Sequence, residues 1–160
     1  MPAAEYAFED MDPFFRDLGE VQSKLMSLEY LLRTFLFRDA GLPFMQGFDS
    51  ISVGDVIDAN PFTNYDTLKV LIRKYNDAVR LKDAALVVHP SVVDIRDALA
   101  HGRVYWKSKE SQPRLLKFSP VDDATGKVQT RTAVTLAPAK LEAWRTYISM
   151  MERRVFDALP

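Results

Sequence analysis

The sequence predicts a mainly α-helical protein with a small antiparallel β-meander inserted before its last helix. A long first segment and three later ones place apolar residues at helical spacing, and alternating apolar and polar residues follow residue 102. The chain has 160 residues, 48% of them hydrophobic and 27% charged, which suits one globular domain over residues 1–160. We expect residues 1–11 to be flexible.

The first helix is predicted to begin at the pair Asp12–Pro13, since aspartate is a favoured N-cap and proline is favoured at the first helical position. Apolar residues then recur every four or three positions, and Phe15, Met26, Leu31 and Leu36 widen their stripe. The recurring residues are Phe14, Leu18, Val21, Leu25, Leu28, Leu32 and Phe35. This repeat favours a core helix, with a dimer seam as the alternative. Gly41 and Pro43 are predicted to end the helix.

A long connection over residues 41–62 separates the first helix from the second, and connections of this length are often functional or cover a surface. Thr63 and Asp66 fit an N-terminal capping box before the second helix. The apolar positions of that helix are predicted to be its buried face: Leu68, Leu71, Ile72, Tyr75, Ala78 and Val79.

Ser91 and Asp94 indicate a similar capping box at the start of a third helix, which runs to about His101. Gly102 is predicted to end it in the left-handed conformation.

Three short strands are predicted after the third helix, over residues 103–107, 114–118 and 127–134, so the β insert covers 103–134. Their order suggests an antiparallel meander, with Tyr105 or Trp106 in its core. A last helix is predicted from about Pro138 to Leu159. Its inward residues are expected to be Leu141, Trp144, Tyr147, Ile148, Met151 and Val155.

Composition excludes several classes of function. The net charge of −1 argues against a broadly basic surface that coats nucleic acid. The chain has no cysteine and two histidines, so we expect no disulfide, no metal site and no cofactor. The first residues lack the pattern of a signal peptide, and no apolar run approaches the roughly 20 residues that span a bilayer. We therefore expect a cytoplasmic protein without a membrane partner.

The third helix carries an arginine and a histidine five positions apart, Arg96 and His101. Helical geometry places Arg96 inside the apolar sector and puts Asp97 on the polar face with His101. Because a guanidinium stays charged, an arginine directed toward a core or an interface needs a partner. That partner is either a carboxylate of the protein, such as Glu29 or Asp97, or a phosphate brought by a ligand.

The segment Arg96-Asp-Ala-Leu-Ala-His101 resembles the signature of the HEPN superfamily, an arginine and a histidine separated by four to six residues. Its surroundings, His-Pro-Ser-Val-Val-Asp before it and Gly-Arg-Val-Tyr after it, are also similar to that family. The resemblance covers roughly residues 12–158, and the strand meander resembles an insert found in some members. It implies an up-and-down helical bundle that dimerises with its signature helices facing each other.

Many proteins of this superfamily are metal-independent endoribonucleases, whereas others bind nucleotides or partners without catalysis. Carried over by position, Arg96 and His101 are the functional pair, and Asp97 is the polar residue beside the arginine. The resemblance therefore implies an endoribonuclease of the toxin or defence kind, acting on RNA. A non-catalytic module for a nucleotide or a protein, and a purely structural dimeric bundle, are the alternatives.

The chemistry of these residue types suits RNA cleavage by the substrate's own 2′-hydroxyl group. An arginine fork such as that of Arg96 matches a phosphate, and a histidine such as His101 exchanges protons near neutral pH. Asp97 lies four residues before His101 and is expected to orient its imidazole. We expect Arg103 and Tyr105, which follow the motif, to bind phosphate or to stack on bases.

In an ideal helix Arg96 and His101 project about 140° apart, since five residues each add about 100°. One copy therefore does not direct both side chains at one atom. A two-fold homodimer would place two copies of each in a single cleft, so we expect a homodimer that binds RNA or a nucleotide. A cognate antitoxin or a nucleotidyltransferase is the expected protein partner.

Overall fold

The computed structural model describes residues 11–42, 50–108 and 111–160. Within these residues the helices are α1 (Asp12–Asp39), α2 (Leu68–Val79), α3 (Val92–His101) and α4 (Pro138–Asp157), with a short 3-10 helix at Ala84–Leu86. The strands are β1 (Arg103–Tyr105), β2 (Arg114–Phe118) and β3 (Thr130–Thr135). The prediction of a mainly α protein with a small β-meander before the last helix is confirmed. The predicted flexibility of residues 1–10 and the predicted helix stop at Pro43 lie outside the described residues.

The chain divides into two compact units. The first contains the chain up to Leu25 and Ser91–Ile148, and the second contains Met26–Pro90 and Ser149–Pro160. The single domain predicted over residues 1–160 stays a prediction.

The apolar repeat of α1 is buried from its third member onward: Val21, Leu25, Leu28, Leu32 and Phe35 are at most 3% exposed. This burial favours a core helix over a dimer seam. Of the four residues predicted to widen the stripe, Leu31 and Leu36 are partly buried, whereas Phe15 and Met26 are 45% and 66% exposed and do not widen it. No helix in the described part of the chain is both long enough and apolar enough to span a membrane.

In the first unit, the three strands form an antiparallel sheet in the order β1-β2-β3. Leu115 of β2 is 1% exposed and anchors the sheet in this unit's core. Of the two residues predicted as alternatives for the sheet core, Tyr105 is 53% exposed and does not occupy it. Trp106 follows the end of β1, is partly buried, and packs edge-on against Phe14 at 5.3 Å between ring centroids.

Both ends of α3 differ from the local prediction. The side chain of Ser91 makes no capping hydrogen bond; its hydroxyl lies 2.6 Å from the hydroxyl of Tyr147. Gly102 is extended rather than left-handed, with φ −80° and ψ 163°. Its role is close packing, because a Cβ there would overlap the Ala98 carbonyl oxygen and the Leu115 side chain.

In the second unit, Tyr75 of α2 is fully buried and packs edge-on against Phe35, with ring centroids 4.8 Å apart. Its hydroxyl donates a hydrogen bond to the Leu86 carbonyl at 2.9 Å, and burial raises its pKa to about 12. The Asn76 amide satisfies both the N–H and the carbonyl of Val88. Helix α2 is thus fixed to the segment that follows it.

The capping box predicted at Thr63 and Asp66 is not formed, because α2 starts later, with Thr67 at its N-cap. Asp66 instead accepts a hydrogen bond from Lys74 at 2.6 Å, which lowers the pKa of its carboxyl group. The chain before α2 is held by Arg33, which donates to the Pro61, Asn64 and Asp66 carbonyls and pairs with Glu29 at 2.9 Å.

Candidate functional site

The predicted site lies in the first unit, on the last turns of α3. Asp97 and His101 are one helical turn apart, and 3.6 Å separates Asp97 Oδ1 from His101 Nε2. Both side chains are partly solvent-exposed. The predicted proximity of this carboxylate to the imidazole is therefore present.

A residue that sequence analysis missed completes this cluster. Lys117 of β2 donates a hydrogen bond from its ammonium group to Asp97 Oδ2. Only 24% of the Lys117 side chain is exposed. This hydrogen bond is the main reason that the pKa of Asp97 lies below its ordinary value of 3.8, against a smaller effect of burial that raises it. Asp97 is consequently ionised at neutral pH. It hydrogen-bonds to Lys117 and lies 3.6 Å from His101 Nε2, close enough for a charge interaction but beyond hydrogen-bond distance.

A sequence signal for Lys117 does exist, although it is incomplete. Residues Leu115 and Lys117 share one face of β2, because alternate residues of a strand point to the same side. Leu115 is the buried residue of that strand, so a lysine two positions later lies on the face that is packed in this unit. The sequence does not show that Lys117 meets Asp97, because these two residues are 20 positions apart and lie on different elements.

The structure places Arg96 on the surface, and the prediction that it lies within an apolar sector is wrong. The buried residues of α3 form a narrow stripe of Val92, Ile95 and Ala98, whereas Ala100, on the side of Arg96, is exposed. Within the described ranges, the Arg96 guanidinium makes no hydrogen bond or ion pair. The carboxylates suggested for it are engaged elsewhere, Glu29 by Arg33 and Asp97 by Lys117.

The other two predicted site residues, Arg103 and Tyr105, lie on a different surface of the first unit. In β1 they pair with Leu116 and Arg114, which point away from the face of β2 that carries Lys117. Both are exposed, and the Arg103 guanidinium lies 5.9 Å from the centre of the Phe118 ring. The structure therefore brings Asp97, His101 and Lys117 together but does not bring Arg103 and Tyr105 to them.

Among the described residues of this unit, two of the cavities adjoin α3, and neither of these is lined by Arg96 or His101. One, of about 360 Å³, lies between Ile95, Ala98 and Tyr147. The other, of about 300 Å³, is lined by residues that include Leu99 and Val104. Since the Arg96 and His101 side chains are both exposed, the candidate site is a polar surface. In the part of the chain that the structure describes, no three histidine, aspartate or glutamate side chains are grouped to hold a metal ion.

Comparison with known proteins finds no matching family model, no similar curated protein and no similar solved structure. The resemblance to the HEPN superfamily thus rests on the Arg96–His101 motif and its surroundings.

Proposed function

We propose that this protein is a metal-independent endoribonuclease of the toxin or defence kind, acting as a homodimer in the cytoplasm. The observation that carries the proposal is the Lys117–Asp97–His101 cluster at the end of α3, with an exposed Arg96 on the same helix that makes no side-chain bond to any described residue. A guanidinium that makes no hydrogen bond or ion pair within the protein is available to a phosphate, even though the Arg96 charge also acts at a distance on Asp97.

The reaction that suits these groups begins when the 2′-oxygen of a ribose attacks the adjacent phosphorus. The new bond closes a 2′,3′-cyclic phosphate, and the bond from phosphorus to the 5′-oxygen breaks. One proton leaves the 2′-hydroxyl and one is delivered to the departing 5′-oxygen. In this proposal His101 acts as the general acid–base for these transfers. Arg96 stabilises the negative charge that builds on the phosphoryl oxygens, and Asp97, fixed by Lys117, orients the imidazole.

In this proposal, Arg103 and Tyr105 form part of an RNA-binding surface. They are exposed on β1, and Tyr105 pairs across the sheet with Arg114, so an aromatic ring and two cations share one open face. Bases stack on such rings and phosphates bind such cations. Since β1 is an edge strand, an RNA strand at this edge reaches both sheet faces.

The open surface around α3 favours one other candidate, a non-catalytic module that binds a nucleotide or a protein such as an antitoxin or a nucleotidyltransferase. Arg96 and His101 are both exposed and line neither of the two cavities beside α3. Catalytic groups usually lie in a concave site that excludes water. Only the homodimer would supply that concavity for the enzyme.

The test is incubation of the purified chain with single-stranded RNA in the presence of EDTA. We expect cleavage that leaves a 2′,3′-cyclic phosphate or its opened form, identified by mass spectrometry. Arg96→Ala and His101→Ala should each lower the rate by about a hundredfold or more, as loss of a general acid–base or charge-stabilising group does. Arg16→Ala and His89→Ala are the matched controls and should retain full activity.

Each other outcome has a definite meaning. Cleavage that stops when metal is removed would contradict the mechanism, and cleavage that survives both substitutions would identify a contaminating nuclease. RNA or nucleotide binding without cleavage, lost in Arg96→Ala, would assign the chain to the non-catalytic class.

A further inference from the structure

Helix α2 in the second unit lines a cavity of about 500 Å³ whose rim is positively charged. Lys69, Arg73 and Arg80 are exposed at this rim, and Asp77 is the acidic residue among them. Within residues 11–42, 50–108 and 111–160, these three cations make no side-chain hydrogen bond or ion pair. Three positive charges and one negative charge leave the lining at about +2, in a chain whose net charge is −1.

The three cations follow one side of the helix. Lys69 and Arg73 are four residues apart and Arg80 is seven residues further on, spacings that bring side chains back to the same face. At a rise of 1.5 Å per residue, about 6 Å and about 10 Å separate their positions along the axis. Like charges on one face repel each other, and an anion that binds between them reduces this repulsion.

The wall of the cavity is apolar, in contrast to its rim. Ile72 is buried at the base, Val70 is half-buried, and Pro90 closes one side. The amide of Asn76 at the base bonds to Val88 through both its nitrogen and its oxygen, which fixes its orientation. Ligand pockets typically have this composition and a volume of roughly 300–1,000 Å³.

We propose that this cavity binds a small organic phosphate, with a flat apolar body against Ile72, Val70 and Pro90 and the phosphate between the cations. A phosphate monoester carries a charge of about −1.5 to −2 at neutral pH, which matches the lining, whereas a single carboxylate does not. The planar guanidinium groups of Arg73 and Arg80 bind phosphate in a bidentate fashion and also stack on flat rings. The site lies wholly within the second unit and is independent of the proposed ribonuclease reaction.

Fluorescence titration of the full chain with naphthyl phosphate tests this site. We expect saturable binding with Kd below about 1 mM, and at least tenfold weaker binding of naphthol and of inorganic phosphate, each of which supplies only half of the ligand. Arg73→Ala should weaken binding by about tenfold, as loss of one charge-assisted hydrogen bond does. Asp77→Asn should tighten it by about two- to threefold, because it removes the acidic charge at the rim.

Lys82→Ala is the matched control, since Lys82 is an exposed cation of the same unit outside the cavity. It should bind the probe as the wild type does. Because Arg73 is exposed, its substitution leaves the fold intact, which circular dichroism verifies. No saturable binding, or binding that Arg73→Ala and Asp77→Asn leave unchanged, would overturn the proposal. Two further outcomes would also overturn the proposal. Equal binding of naphthol would show that the pocket recognises only the apolar body. Displacement of the probe by a polyglutamate peptide, at a concentration lower than that at which naphthyl phosphate binds, would assign the cavity to an acidic protein segment.

Discussion

The stability of an Arg96 variant distinguishes a functional role of this arginine from a structural one. Arg96 is exposed and has no hydrogen-bonded or ion-paired partner among the described residues. Removing it leaves no carboxylate without its counter-charge. We predict that Arg96→Ala changes the free energy of unfolding by less than about 1 kcal/mol, as is usual for surface substitutions. Denaturant melts of both proteins at equal concentration measure this difference. A loss of roughly 3–5 kcal/mol with an unchanged slope would reveal a buried ion pair and refute the functional assignment.

Arg33 provides the internal comparison for that measurement. It is 13% exposed, pairs with Glu29, and holds three backbone carbonyls of the connection before α2. Arg33→Ala should therefore cost about 2 kcal/mol or more, since several partly buried acceptors lose their donor. An equal effect of the two substitutions would mean that Arg96 is held as firmly as Arg33.

Lys117 is predicted to control the protonation of Asp97. Its hydrogen bond keeps the pKa of Asp97 below 3.8, so the ionised carboxylate stabilises the fold above that pH and the benefit disappears as the pH falls through the folded-state pKa. In Lys117→Met the pKa of Asp97 should return toward 3.8. An NMR titration of the carboxyl carbon measures the shift directly.

The same substitution gives a stability test with a matched control. The difference in unfolding free energy between wild type and Lys117→Met should be largest near neutral pH and should shrink below about pH 4. Lys127→Met removes an exposed lysine from a neighbouring turn and should show no such dependence on pH. A pH-independent difference for Lys117→Met would mean that the lysine acts through packing alone.

At the scale of elements, the junction between α3 and β1 depends on one glycine. Gly102 has a φ of −80°, which any residue adopts, so its requirement comes from space and not from backbone freedom. A Cβ would overlap the Ala98 carbonyl oxygen and the Leu115 side chain. We predict that Gly102→Ala destabilises the protein by roughly 1–3 kcal/mol, the usual cost of overpacking. Thermal unfolding measures this loss.

Gly126, like Gly41 and Gly54, has the opposite requirement. Its φ is +63°, and no described atom lies within 4 Å of the position that a Cβ would take, so Gly126→Ala is opposed by backbone strain and not by packing.

A second substitution distinguishes the two glycines. Replacing Leu115 by alanine in the Gly102→Ala background should recover part of the overlap cost, although it creates a cavity of its own. The same second substitution should not rescue Gly126→Ala.

The elements were predictable to the extent that local pattern determines them. The start of α1 at Asp12, strand β2 over 114–118 and the start of α4 at Pro138 follow from capping residues and periodicity, and the structure confirms them. The two capping boxes were wrong for different reasons. The Ser91 hydroxyl meets Tyr147, a tertiary contact, whereas α2 begins only after Asp66, with Thr67 at its N-cap.

The candidate site shows the same division between local and non-local information. The approach of Asp97 to His101 is a one-turn contact, which spacing alone predicts. The exposure of Arg96 and the contact of Lys117 with Asp97 depend on where the sheet packs, which no pattern within α3 contains.

At the scale of the whole molecule, the proposed chemistry requires two copies of the chain. Arg96 and His101 project about 140° apart on one helix, and both are exposed, so a single copy forms no cleft around a phosphate. The net charge of −1 gives little repulsion between copies. Since the α1 repeat is largely buried within the chain, we expect the contact to be made by α3. Light scattering at micromolar concentration should give a mass of twice 18.2 kDa.

The absence of cysteine from the sequence makes the geometry of this dimer directly testable. Ala100 is exposed on α3 beside the proposed site, so Ala100→Cys should form a disulfide-linked dimer under mild oxidation when two α3 helices face each other across a two-fold axis. Ala124→Cys places a thiol on an exposed turn of the same unit and should remain monomeric on a non-reducing gel. Crosslinking of both variants to the same extent would indicate random collision, and a monomeric mass with neither crosslink would remove the composite site on which the ribonuclease proposal depends.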